Sequence, residues 1–277
     1  MIKLSIASWS FHRLLQAGRQ DMFKYILDSK ALGATQLDPW NGHLAPLVVR
    51  DSEIKAAGVP SALLSADEFS YLAQVKAAAQ RVGLPFGCLA VDGAHIYEES
   101  PEARALNRAI AYRWLDAARF LECEQVRIDA GGPGAMPDDV FAVIVDGYRD
   151  LLARARSLGL ELLIENHWGP SNNPDHVVKL LDALPGLGLL FDTNNWIKLR
   201  QQEAWETCAR YARSVHIKTF SFDENGNEPS VDIAKAIRIL QAAGYKGTWG
   251  VESVPQDGDE YDGVKKSFAL IRKILQA

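Results

Sequence analysis

The sequence predicts a single-domain α/β protein: eight parallel strands, each followed by a helix, closed into a (β/α)8 barrel. Three observations carry this. Short apolar runs alternate with segments of helical spacing eight times, about 30 residues per unit, which means parallel strands with right-handed crossovers. Four helical segments stop at a glycine just before a strand (Gly33, Gly83, Gly159, Gly244), the residue that most readily closes a helix in the left-handed conformation. Third, no nucleotide fingerprint is present, which disfavours the alternative, an open doubly wound sheet. That fold calls for a glycine-rich turn after the first strand, and Ser8-Trp9-Ser10-Phe11 has none. Gly131-Gly132-Pro133-Gly134 lacks both the Lys-Ser/Thr of a P-loop and the G-x-G-x-x-G spacing. A length of 277 residues suits one barrel, so a single domain is expected over residues 1–277.

Taken in order, the first strand is Leu4 to Ala7, followed by Ser8-Trp9-Ser10-Phe11-His12. A helix over Asp21 to Ala31 precedes a second strand, Thr35 to Leu37, ending in Asp38-Pro39-Trp40. Residues 41–64 are the least legible and suggest an irregular insert or a short extra helix. Ser65-Ala66-Asp67-Glu68 has the form of a capping box and opens a helix to about Arg81. The third strand is Pro85 to Val91, and Pro101 at a first helical position starts the helix reaching Leu121. The fourth strand, Gln125 to Ile128, ends in Asp129, and a helix follows over Asp138 to Leu158. The fifth strand is the apolar run Leu162-Leu163-Ile164, which stops in Glu165-Asn166-His167. A helix from Asn173-Pro174 to Leu184 leads to the sixth strand, Leu187 to Phe191, ending in Asp192. After a helix over Glu203 to Tyr211, the seventh strand, Ser214 to Ile217, carries His216 and then Lys218. Asp232 to Ala243 is helical, the eighth strand is Thr248 to Val251 ending in Glu252, and a last helix covers Tyr261 to Leu275.

Composition narrows the function. A net charge of -5 and a pI near 5.7 argue against a large nucleic-acid footprint, which needs a basic face. The three scattered cysteines, Cys88, Cys123 and Cys208, form no C-x-x-C and fit a reducing cytoplasm. The start, Met1-Ile2-Lys3-Leu4-Ser5, has no signal-peptide layout, and no apolar run approaches the ~20 residues of a membrane helix. A cytoplasmic protein free of membrane partners is expected.

In a barrel, the C-terminal strand ends converge on one mouth. Four consecutive strands place Glu165, Asp192, His216 and Glu252 there. Three carboxylates that close repel unless a cation joins them. Their oxygens with one imidazole make a hard to borderline donor set, suited to one divalent ion: Mn²⁺ first, with Mg²⁺, Co²⁺ or Zn²⁺ as alternatives. The apolar Val215 and Ile217 alternate with His216 and Lys218, so the latter two point into the barrel.

Ile164-Glu165-Asn166-His167, Phe191-Asp192, Val215-His216-Ile217-Lys218, and Gly244-Tyr245-Lys246-Gly247 leading to Val251-Glu252 together resemble the xylose-isomerase-like TIM-barrel superfamily. This group of sugar phosphate isomerases/epimerases includes ketose 3-epimerases, inosose dehydratases and, more distantly, endonuclease IV. The resemblance is firm from Glu161 to Gln276 and rests on strand order before that. It implies that Glu165, Asp192, His216 and Glu252 bind one divalent metal, with Glu165 and Glu252 as the acid/base pair. The expected activity is isomerase or epimerase chemistry on a sugar or sugar-like ketone, by proton transfer through a metal-stabilised enediolate. A leaving group beta to the carbonyl would make the same site a lyase or dehydratase on a keto-sugar, keto-glycoside or inosose. The chain departs from ketose 3-epimerases at Asn195, where they resemble one another in carrying histidine, and at Pro170-Ser171-Asn172, where they carry a second glutamate. The substrate is therefore left open. No phosphate cradle is visible, so a free ketosugar or inositol-like compound suits the chain as well as a phosphate ester.

Further residues near strand ends are expected to contact substrate: His95, His167, Asn195, Lys218, Trp9 and Arg127. Trp40, Trp168, Trp196 and His12 share that placement, with burial against loops as the plainer role for each tryptophan. The partner is expected to be a small carbohydrate, and a homo-oligomer is compatible with the sequence. A tri-metal DNA-repair endonuclease would need more than the six histidines present, and a non-catalytic sugar-binding module would hold no metal.

Overall fold

The computed structural model describes residues 2–256 and 258–276. Met1, and the last residue of the expected 1–277 domain, lie outside the described residues. Eight strands run β1 Leu4–Ala7, β2 Gln36–Asp38, β3 Cys88–Val91, β4 Gln125–Ile128, β5 Glu161–Glu165, β6 Gly188–Asp192, β7 Ala212–Thr219 and β8 Trp249–Ser253. The helices are α1 His12–Gln16, α2 Met22–Leu32, α3 Ala45–Ala57, α4 Ala66–Val82, α5 Pro101–Leu121, α6 Asp138–Ser157, α7 Pro174–Ala183, α8 Gln201–Cys208, α9 Ile233–Ala242 and α10 Glu260–Gln276. All ladders are parallel, in the order β2-β1-β8-β7-β6-β5-β4-β3. This is the predicted barrel.

The seam lies between β2 and β3, where, among the described residues, isolated bridges at Leu37–Phe86 and Trp40–Ala90 join the edges. Pro39 and Pro85 flank the seam and have no N–H to give a ladder. The Asp38 carboxylate partly fills the gap by accepting from the Cys88 N–H at 2.9 Å. This is why β3 starts at Cys88 and not at Pro85. Residues 41–64 hold α3, a helix of 13 residues, longer than the short helix foreseen. It is tied down by a buried ionic knot: Arg113 of α5 reaches Asp51 at 3.1 Å and Glu68 at 2.5 Å, while Trp114 Nε1 donates to Asp51 at 2.6 Å. The Ser65–Glu68 capping box is present. β7 and β8 extend past the predicted ends, which carries Lys218 and Glu252 within regular strand.

Strand alternation sorts side chains into two cores. Leu162, Ile164, Leu189, Phe191, Val215, Ile217 and Val251 face the helices and join the large outer core. Inside the barrel a small plug of Cys88, Leu163 and Leu190 fills the lumen. Above that plug, at the C-terminal ends of β4 to β8, the inward positions turn polar.

Candidate metal centre

On β5 the inward positions are Leu163 and then Glu165, so the carboxylate sits directly above the plug. Asp192 ends β6 and is in register with His216 of β7, while Lys218 is in register with Glu252 of β8. The four expected ligands are buried: Glu165 1%, Asp192 0%, His216 4% and Glu252 7% exposed. Each offers one ligand atom, and those atoms all lie within 4.8 Å of one another. His216 Nδ1 is 2.9 Å from Glu252 Oε2 and 3.5 Å from Glu165 Oε1. Asp192 Oδ1 accepts from the N–H groups of Asn194 and Asn195 at 2.6 and 2.9 Å, which fixes the carboxylate and leaves Oδ2 inward.

Glu165 Oε2, Asp192 Oδ2 and His216 Nδ1 are buried with charged groups near them, Arg127 Nε at 3.0 Å, Lys218 Nζ at 3.6 Å and Glu252 Oε2 at 2.9 Å, but none of the three makes a hydrogen bond of good geometry. Burying unsatisfied polar atoms is costly, and three converging in one cluster need an account. A divalent cation satisfies all three at once, and three carboxylates with one imidazole are suitable donors. The residues thus fit the metal that the sequence implied.

Two fixed cations flank the cluster. Lys218 Nζ is 2.7 Å from Glu252 Oε1 and 3.6 Å from Asp192 Oδ2, and donates to Asn195 Oδ1 at 3.2 Å. Arg127 Nε is 3.0 Å from Glu165 Oε2, and its Nη1 reaches Asp92 at 2.7 Å and Asp129 at 3.1 Å. These charges set the ionisation. Burial alone would raise the Glu252 carboxyl, but Lys218 and His216 hold it well below its ordinary value. Burial likewise opposes the Glu165 carboxylate, and Arg127 with His167 keeps it low. Asp192 is pushed up to about 6, because burial outweighs Lys218.

A second acidic group, Asp129 with Glu165 and His167, adjoins the first. His167 Nδ1 lies 3.0 Å from Asp129 Oδ2, which also accepts from Trp168 Nε1 at 3.1 Å. Burial would lower the imidazole, yet Glu165 and Asp129 raise it to about 9. The Arg127 guanidinium contacts both Asp129 and Glu165, so a side-chain cation already sits in that second group.

A cavity of about 570 Å³, including its open mouth, meets these residues. Glu165, Glu252, His216, Lys218, Arg127, His167 and Trp9 line it, and Asp192 joins from beside them through the ligand cluster. Asn195 is placed next to the centre by its bond to Lys218 and a 3.5 Å approach to Glu165 Oε1. His95 is not among the lining residues: its Nε2 meets Glu98 at 2.6 Å and its ring sits edge-on to Trp168. Trp196 is buried 5.7 Å from Phe191, the plainer role, and His12 stacks on Trp9. Four lining residues had no role assigned from sequence: Ala7, Asp38, Ala90 and Asp92. Asp92 follows the apolar run Cys88-Leu89-Ala90-Val91, the same signal that marked Glu165, whereas Asp38 follows Thr35-Gln36-Leu37 and carries no such signal.

The xylose isomerase-like TIM barrel family model matches residues 17–274, and the chain belongs to that family. Among curated proteins, the C-glycoside deglycosidase alpha subunit of Microbacterium trichothecenolyticum is 26% identical over 216 residues, 67% of this chain and 58% of that protein. A second such alpha subunit, from Arthrobacter globiformis, is matched over only 23% of its length, so the chain spans well under two thirds of either relative. Of solved structures, a 3-keto-D-glucoside 4-epimerase from E. coli has TM-score 0.73 and 16% identity, with 99% of this chain and 100% of that one covered. An L-ribulose 3-epimerase has TM-score 0.75 and 14% identity, covering 100% and 95%. At such identities the structural likeness establishes the fold.

Proposed function

We propose that the chain is a divalent-metal-dependent isomerase or epimerase of a sugar or sugar-like ketone. The observation that carries this is the buried Glu165–Asp192–His216–Glu252 cluster, its ligand atoms within 4.8 Å of one another and three of them without a hydrogen bond of good geometry, at the mouth of the cavity. The ion would supply an electrophile for neighbouring substrate oxygens, stabilising the charge that develops when the adjacent carbon loses its proton. Arg127 and Lys218 hold Glu165 and Glu252 ionised, so either carboxylate starts as a base. One takes the proton, and the other, once it has taken up a proton from solvent, returns that proton from the opposite face and inverts the centre. Lys218, Asn195 and His167 are positioned to donate hydrogen bonds to hydroxyls, while Trp9 offers an apolar face. Epimerases among the similar structures support the reading. A cytoplasmic location accompanies it, supported by three free, buried cysteines, and no described helix is long and apolar enough to cross a membrane.

One observation favours a second reading, a lyase acting on a keto-glycoside or related sugar. The Asp129-anchored His167 faces the cavity and is placed to give a proton to a departing group. The relatives named as C-glycoside deglycosidase subunits support it. Incubation of Mn²⁺-loaded protein with a panel of ketoses and 3-keto-glycosides in D₂O separates the two. Deuterium entering beside the carbonyl of a recovered sugar marks the isomerase or epimerase; a released aglycone or eliminated product marks the lyase. Neither, across the panel, would overturn both.

A further inference from the structure

The metal cluster and its cations come from β4 to β8, yet the cavity continues across the mouth to β1, β2 and β3. There Ala7 and Ala90, both small, occupy inward positions above the plug, and Trp9 and Trp40 form the wall. The two indoles stand at 88° with centroids 4.6 Å apart, so they make a corner. Each is held from outside the cavity. Trp9 is stacked on His12 at 4.6 Å and 7°, and His12 Nδ1 lies 2.8 Å from the Trp9 carbonyl. Trp40 Nε1 donates to Asp92 at 2.7 Å, and its N–H donates to the buried Ser8 Oγ at 2.8 Å. Asn41 clasps Asp92 both ways, at 3.0 and 3.1 Å, fixing this loop to the end of β3. Gly42 lies against the Trp40 ring: a Cβ there would come within 2.2 Å of two atoms of the six-membered ring, far inside van der Waals contact. Its backbone is not left-handed, so space for the indole is the local demand for glycine.

We infer that this corner is a binding subsite for a planar aromatic substituent carried by the sugar, on the side away from the metal. The inference rests on the proposed sugar chemistry and names its substrate class: an aryl glycoside of a keto-sugar in preference to a free ketose. A bare sugar has one modest apolar face and would use one wall. An aromatic ring in a perpendicular corner stacks on one indole and presents its edge to the other, both favoured geometries. Ala7 and Ala90 leave room for the linkage between that ring and the metal-side sugar. Gly42 acts through Trp40 and is a positioning residue.

The test is binding of matched phenyl and methyl 3-keto-glycosides of glucose, galactose, xylose and mannose to the Mn²⁺-loaded protein, by calorimetry and tryptophan fluorescence. At least one phenyl glycoside is expected to bind tenfold or more tighter than its methyl partner, about 1.4 kcal/mol. Gly42→Ala is expected to abolish that preference while leaving metal content and methyl-glycoside affinity unchanged. Trp9→Leu removes the other wall and is expected to reduce the preference by itself, which keeps the test open if Gly42→Ala does not fold. Absence of any phenyl preference, or a preference unmoved in both variants, overturns the subsite. Exchange of ketoses in D₂O is read separately, so loss of the subsite and loss of the sugar chemistry are told apart.

Discussion

Arg127→Met should cost stability out of proportion to its size. The guanidinium is 4% exposed and meets Glu165 at 3.0 Å, Asp129 at 3.1 Å, Asp92 at 2.7 Å and the Val91 carbonyl at 3.1 Å. Glu165 and Asp129 are buried, whereas the Asp92 side chain is 40% exposed and can be hydrated. Methionine fills much of the same volume, so the loss is chiefly electrostatic. Each buried carboxyl then keeps its charge without a counter-ion or takes up a proton. Protonating a carboxyl of ordinary value about 4 at pH 7 costs about 4 kcal/mol, which caps the damage per group. His216 remains near Glu165, and His167 and Trp168 near Asp129, so one group's worth, about 4 kcal/mol, is expected, in line with breaking a buried pair. At roughly 2–4 °C per kcal/mol this is a fall in Tm of about 8–16 °C, read by differential scanning fluorimetry in EDTA. The pH dependence follows from the same charges. Burial pushes both carboxyls up, but Arg127 holds them below their ordinary values, so their contribution is present above about pH 4 to 5 and fades as pH falls. The gap between variant and wild type should therefore be widest at pH 7 to 8 and narrow towards pH 4. A fall under about 3 °C at pH 7.5, or a gap that widens in acid, would refute this account of Arg127.

Three further outcomes are expected. Burial opposes the charged His216, but Glu165 and Glu252 raise it to about 10, so a ligating His216 must release its proton. Mn²⁺ affinity should rise up to tenfold per unit between pH 6.5 and 8.5, with proton release visible in calorimetry run in buffers of different ionisation heat. Arg113→Met should lower stability by about 3 to 5 kcal/mol, since it strands Asp51 and Glu68 in the α3–α4–α5 knot while leaving metal content unchanged. Glu122 closes α5 at φ 62° and its side chain is exposed, so Glu122→Gly should hold or slightly raise the urea midpoint.

The barrel was legible because its signals are local. Short apolar runs, a glycine after four of the helices and a polar residue at the strand ends recur along the chain, and each reflects local backbone geometry. The insert was less legible because α3 has only Leu47, Asp51 and Ile54 buried and draws on Arg113, 62 residues from Asp51, for its anchor. The end of α5 was hidden in another way: Glu122, not glycine, takes the left-handed position. In the site, Glu165, Asp192, His216 and Glu252 could be aligned because each ends or lies on a strand of known parity. Asp129 and Asp92 end strands too, but their work depends on Arg127, whose reach across the lumen no spacing rule encodes. His95 sits at a strand end as well, and Glu98, three residues on, takes its ring. Gly42 had no signal at all, since its neighbour Trp40 is defined only by the folded loop.

The most direct measurement is metal content by elemental mass spectrometry, on wild type and Glu252→Gln reconstituted with Mn²⁺ and freed of loose ion. The account predicts close to one divalent ion per wild-type chain and well under half in the variant, with both proteins folded by circular dichroism. A wild type that retains none of Mn²⁺, Co²⁺, Mg²⁺ or Zn²⁺, or a variant that retains as much as wild type, would contradict the four-residue centre on which the proposed chemistry stands.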